Sequence, residues 1–329
     1  MTFEDFIHQV IEETRITQER SNDYQIIEDT HNQFENLIKA FLYLSSSADG
    51  KKIASSGVEW FLDNYHVIQE AIELIQDDLP ENYFNKLPSV GGSSTTPRIY
   101  KIARRMAEFY EIELVQNDLH EFLEAYQEEV PIKMSELWAF PLMLRLTLIE
   151  ILSGTIFDLI ENKKAVHNTN NVAFSQLNPS EIVARSLRTL ILLDHINWKS
   201  FFEVHSLVER ILSKDPAGVY PSMDFESRDL YRKKVEHFSE QSNYDEEEIA
   251  QIVVNLAEAA KDKSEKSRHI GCYLISDGEV ELKKEIDYKY TTAGRIQAFF
   301  YKHRTGFYLG SISILTLMVM AGLLFFSSS

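Results

Sequence analysis

The sequence predicts an all-α protein: a multi-helix bundle or irregular solenoid, one small β-hairpin near the end, then a single transmembrane helix. Three observations predict it. Apolar residues recur at three- and four-residue intervals in one segment after another, the period of an α-helix. Glycine and proline mark clear breaks between such segments, above all at residues 87–97 and 215–221. Residues 305–329 contain no charged side chain.

The elements follow in order. Phe3, Phe6, Ile7, Val10 and Ile11 mark a first helix, and Phe34, Leu37, Ile38, Phe41 and Leu42 a second, with a polar, ambiguous stretch between. After a loop at 45–50, Val58, Phe61, Leu62, Tyr65, Ile68, Ile72 and Ile75 lie on one side of a single long helix ending near Pro80. Residues 87–97, with two glycines and two prolines, form the clearest break, and Thr96-Pro97 reads as cap and first position of the next helix. That helix carries Ile99, Ile102, Ala103, Met106 and Phe109. The following one, capped by Asn117 or Asp118, carries Leu119, Phe122, Leu123 and Tyr126.

Residues 135–152 are apolar on nearly every side, so this helix is central to the core. Pro141 should kink it or mark its first turn. Arg145 and Glu150 argue against a membrane span here, and both call for partners on neighbouring helices. A loop at 168–171 precedes a helix opened by Ser180 and Glu181, and Phe201 to Leu212 make the next. A turn at 215–221 leads into two charged amphipathic helices, 224–242 and 245–261. Asp277-Gly278, between short apolar runs, predicts the hairpin over 269–282. The implied organisation is an amino-terminal helical segment 1–50, a helical domain 51–268, a hairpin and juxtamembrane segment 269–304, and a membrane helix 305–326.

The run 306–326 has 21 residues. As a helix it spans about 31 Å, roughly the bilayer's hydrocarbon thickness. Arg295, Lys302, His303 and Arg304 precede it and only serines follow, which places residues 1 to about 304 in the cytoplasm. Gly306 and Gly310 have the small-xxx-small spacing that lets membrane helices pack closely. The acidic start of the chain lacks the basic and apolar regions of a cleavable signal.

Composition narrows function. A net charge of −18, from 51 acidic and 33 basic residues, argues against nucleic acid as a partner. One cysteine, Cys272, excludes an internal disulfide and fits a reducing cytoplasm. Gly91-Gly92 lacks the rest of a phosphate-binding loop, and neither a Gly-x-Ser-x-Gly nor an Asp-x-Asp motif occurs. His120, Glu121 and Glu124 resemble the start of a zinc-binding helix, but Leu123 and Glu124 stand where the second histidine belongs. A solvated charged face explains the same residues without a metal. No catalytic, cofactor-binding or metal residue is assigned. Two polar groups remain as structural or docking candidates: Arg145 with Glu150, and Asp224 with Arg228 and Arg232, where Asp224 caps a helix and the arginines are four apart.

Four stretches then carry a resemblance: residues 59–68 (EWFLDNYHVI), 136–146 (ELWAFPLMLRL), 215–236 (DPAGVYPSMDFESRDLYRKKVE) and 270–275 (IGCYLI). In this order they resemble the amino-terminal region of the cyclic β-1,2-glucan synthases, bacterial inner-membrane glycosyltransferases. The resemblance spans roughly residues 55 to 326. It implies a cytoplasmic helical region beside a membrane-embedded transferase that uses UDP-glucose and a divalent metal to build a glucan primed on the protein itself. Those functional residues would lie in the transferase, so none transfers to this chain. The chain accordingly reads as a synthase's non-catalytic amino-terminal region and first membrane helix, ending before the transferase and serving docking and anchoring. A free-standing tail-anchored adaptor is the alternative. A glucan-acting enzyme using the chain's own carboxylates is the third reading, and the oligomeric state stays open.

Overall fold

The computed structural model describes residues 2–16, 25–47, 49–53, 55–79, 81–84, 86–91, 96–161, 174, 176–260 and 264–290, with Tyr308 and Thr316. It divides into two compact units, Met1–Arg210 and Ile211–Ser329. The described residues are overwhelmingly helical, so the protein is all-α. Apart from Tyr308 and Thr316, the uncharged run 306–326, including Gly306 and Gly310, lies outside the described residues, as do the juxtamembrane residues 291–304 and the loop at 168–171.

The first unit begins with α1 (Phe3–Glu13). Thr2 caps it: its hydroxyl accepts the Asp5 amide, and the Asp5 carboxylate accepts the Thr2 amide, both at 3.1 Å. Phe6, Ile7, Val10 and Ile11 face inward, and Phe6 stacks on Phe109 with centroids 4.1 Å apart. In α2 (Gln25–Ser46), Phe34, Leu37 and Leu44 are buried, while Ile38 and Leu42 of the predicted stripe face solvent.

The single long helix expected before Pro80 is two, α3 (Ser56–Asp63) and α4 (Tyr65–Asp78). Asn64 divides them: its side-chain amide and its backbone N–H both donate to the Trp60 carbonyl, so its own side chain competes with the helix. After the short α5 (Glu81–Phe84), β1 (Ser89–Val90) pairs antiparallel with β2 (Thr96–Pro97). This ribbon uses Thr96 and Pro97, so α6 (Arg98–Phe109) starts one residue later than predicted, with Pro97 at the cap. In α7 (Gln116–Gln127) the cap position is Val115, and Asp118 lies inside the first turn, its carboxylate accepting the Val115 amide at 2.8 Å.

The core forms around α8 (Met134–Ile160), which packs against α2, α4, α6 and α9 (Pro179–His195). Among the described residues α8 is the one helix long and apolar enough to cross a membrane, yet 78% of its apolar window is buried inside the protein. Pro141 sits within it, beyond the first turn. Its buried Thr147 and Thr155 hydroxyls bond back to the carbonyls of Met143 and Ile151, which satisfies them without partners elsewhere. Asn178, not Ser180, caps α9, with Pro179 at its first position. The predicted helix from Phe201 to Leu212 is again two, α10 (Trp198–His205) and α11 (Leu207–Leu212). They separate at Ser206, whose hydroxyl accepts the Glu209 amide.

In the second unit α12 (Phe225–Glu240) and α13 (Glu246–Ala259) match the two charged amphipathic helices. The predicted hairpin is absent: residues 269–285 hold α14 (Gly271–Ile275) and α15 (Glu279–Glu285). A hairpin turn of that kind needs a positive φ at both central residues, but Gly278 has φ −72° and opens α15. The buried residues there are Ile270, Tyr273, Leu274, Leu282 and Ile286, a helical spacing that tertiary packing selects over local strand propensity.

Candidate functional site

The densest polar constellation in the second unit grows from the turn at Asp215. The Gly218 amide donates to the Asp215 carbonyl at 2.8 Å, and Gly218 holds φ +67°, where a side chain is strained. This folds the following amides back over the Asp215 carboxylate. Oδ2 accepts from Val219 N at 3.0 Å, Tyr220 N at 3.1 Å and His269 Nδ1 at 2.8 Å. Oδ1 accepts from Ile270 N at 3.1 Å and Ala217 N at 3.4 Å. On the far side of the imidazole, His269 Nε2 meets the Tyr231 hydroxyl at 2.9 Å. A Cβ on Gly271 would come within 2.4 Å of that hydroxyl and 2.7 Å of His269 Nε2, so only glycine lets α14 approach α12 this closely.

Burial pushes the Asp215 carboxyl up, but hydrogen bonds from His269, Tyr220 and Ile270 outweigh it and hold the pKa down at about 2. The carboxylate is fully buried and ionised at neutral pH. Asp–His–Tyr order resembles a proton relay, but every group in it is committed internally. Its chemistry is that of a lock joining the 215–221 turn, α12 and the start of α14.

The sequence-predicted residues are placed apart. Asp224 caps α12, accepting the Ser227 amide at 2.7 Å. Arg228 follows in the first turn, its amide bound to the Asp224 carbonyl. Arg232 is buried: its guanidinium lies 4.7 Å from the Phe225 ring centroid, 3.4 Å from the Phe225 carbonyl and 3.5 Å from Asp229. In the first unit, Arg145 and Glu150 do not pair with each other. Arg145 donates to Asp194 on α9 at 2.8 Å and to the Pro141 carbonyl at 3.2 Å. Glu150 accepts from the Tyr100 hydroxyl and from Arg104 at 3.1 Å, tying α6 to α8, and burial first, then Glu150, raises the Tyr100 pKa.

Sequence reasoning missed three groups. Arg98 and Glu136, both fully buried, form a two-pronged ion pair in which Arg98 also donates to the Pro131 carbonyl at 2.9 Å. His120 pairs with His205 at 2.7 Å instead of with Glu124. Asp215, Tyr231 and His269 form the lock. The available signal for that lock was position: Asp215 and Tyr231 belong to one resembling stretch and His269 directly precedes another. Among the described residues no cluster of three or more His, Cys, Asp or Glu side chains is arranged to hold a metal ion.

No protein-family model matches the chain. A cyclic beta-(1,2)-glucan synthase, NdvB of Rhizobium meliloti (strain 1021), is 24% identical over an alignment that covers 75% of this chain. The match spans only 11% of that much longer protein. The chain is thus a distant relative of the cyclic β-(1,2)-glucan synthase family.

Proposed function

We propose that this chain is the non-catalytic amino-terminal region of a cyclic β-1,2-glucan synthase-like glycosyltransferase, a rigid helical platform that docks on and positions the transferase. In this reading residues 1 to about 304 face the cytoplasm, the run 306–326 anchors them in the inner membrane, and UDP-glucose and its metal are held by the partner region.

One observation carries the reading. In and beside two of the stretches that resemble the synthases, several chemically capable groups are committed to internal bonds. Asp215 takes hydrogen bonds from four backbone amides and His269, His269 is held by Tyr231, and Glu136 is enclosed with Arg98. Fully satisfied buried networks of this kind rigidify a unique shape. A rigid shape is what a platform contributes to a partner.

The test is to incubate the full chain, purified in detergent, with UDP-glucose and Mg²⁺ or Mn²⁺, and separately with β-1,2-glucan. The proposal predicts no transfer and no change in glucan length. Turnover of either by the purified chain would place the chemistry in these residues and end the platform reading.

A further inference from the structure

The pair of imidazoles in the first unit has no part in the reading above. His120 projects from α7 and His205 ends α10, and Nδ1 of the one lies 2.7 Å from Nε2 of the other. Phe201 packs on both rings, with centroids 4.8 Å from His120 and 4.5 Å from His205. The His205 carbonyl accepts from Gln127 Nε2 at 3.1 Å, so α10 is joined to α7 twice at the same place. His205 is buried and His120 half-buried.

We propose that His120 and His205 form a proton-sensitive clasp between α7 and α10, which opens when the pair takes up its second proton. At 2.7 Å one ring must donate an N–H and the other must accept with a bare nitrogen. A first proton can go to the outer nitrogen of the donor ring and leaves that bond intact. The second can only occupy the accepting nitrogen. Two N–H groups then face one another, both rings are cationic, and α10 loses the bond.

At the His205 ring no carboxylate is among the groups that act on it. Burial, then His120, then Arg210 push the His205 pKa down to about 4. On α7, Asp118 is bound to the Val115 amide, while Glu121 and Glu124 face solvent. On α8, Glu136 and Arg145 are bound to Arg98 and Asp194. On α10, Lys199 is exposed and Glu203 half-buried, and at the start of α11 Glu209 is buried beside Ser206.

The clasp has built-in reporters. Trp138 stacks on Phe202 of α10 at 4.2 Å, and Trp198 lies edge-on to Phe201 at 5.2 Å, so two of the three tryptophans sense α10. In the full chain in micelles, tryptophan emission and the imidazole signals of isotope-labelled histidine are followed from pH 7.5 to pH 4. Wild type should keep one imidazole neutral below about pH 5, and emission should change as that ring protonates. His120→Phe should move the emission transition up by about half a pH unit or more, because a coupled charge is gone. His205→Leu should abolish it. If the variants fold poorly, the wild-type titration alone decides. The proposal is overturned if no imidazole stays neutral below about pH 5, or if His120→Phe and His205→Leu titrate like wild type.

Discussion

Replacing Asp215 with asparagine keeps the shape of the lock and removes its charge. The carboxylate accepts three donors on Oδ2 and two on Oδ1. An amide has one oxygen, so its NH₂ must turn toward one set, and the cheaper choice sets it against Ile270 N–H. Stranding that buried donor costs about 1–3 kcal/mol. The lost charge adds a second penalty. The folded pKa of about 2 lies below the ordinary 3.8. The ionised form therefore stabilises the fold by about 2 kcal/mol above pH 4, a contribution lost as pH falls toward 2. The two penalties overlap, because the Ile270 hydrogen bond also helps hold the pKa down, so the predicted loss at pH 7 is about 2–4 kcal/mol. Trp60, Trp138 and Trp198 all lie in the first unit and Cys272 in the second, so the two can be followed separately. In urea, maleimide labelling of Cys272 should begin about 2 M earlier in the variant, given a slope near 1–2 kcal/mol per M for a unit of this size. The gap should shrink as pH approaches 3. Equal midpoints for the two proteins, or a gap independent of pH, would refute the reasoning.

The other predictions concern packing, close approach and topology. Arg98→Met leaves the Glu136 carboxylate buried without its partner and should cost about 3–5 kcal/mol in urea unfolding, while Arg98→Met/Glu136→Leu should recover most of that. A double variant no better than the single would contradict the pairing. Gly271→Ala forces a methyl against the Tyr231 hydroxyl and should cost about 1–3 kcal/mol by Cys272 labelling, with unchanged stability counting against the close approach. A reporter fused at residue 1 should read cytoplasmic in bacterial membranes. A periplasmic reading would overturn the orientation argued from Lys302 and Arg304.

What was legible in the sequence was periodic. The stripes in α1, α6 and α7 appear in the structure where the apolar spacing put them, because a 3.6-residue repeat is set by burial and survives tertiary packing. The failures share a cause. At Asn64 and Ser206 a short polar side chain captures a nearby backbone group and splits a continuous apolar pattern into two helices. At Asp277-Gly278 local turn chemistry pointed to a hairpin, and the burial of Tyr273, Leu274 and Leu282 decided for helix. The polar pairs were the least legible part. Arg98 is 38 residues from Glu136, and Asp215 is 54 from His269. No local pattern encodes contacts at such separations.

The most direct measurement of the platform claim is co-purification. The chain carrying an affinity tag is recovered from native membranes in mild detergent, and glucose incorporation from UDP-glucose into β-1,2-linked glucan is measured on the eluate. The account predicts that this activity elutes with the chain, resides in a separate transferase polypeptide or region, and falls when Asp215→Asn loosens the second unit. An eluate without glucosyl transfer from membranes that make the glucan would contradict it.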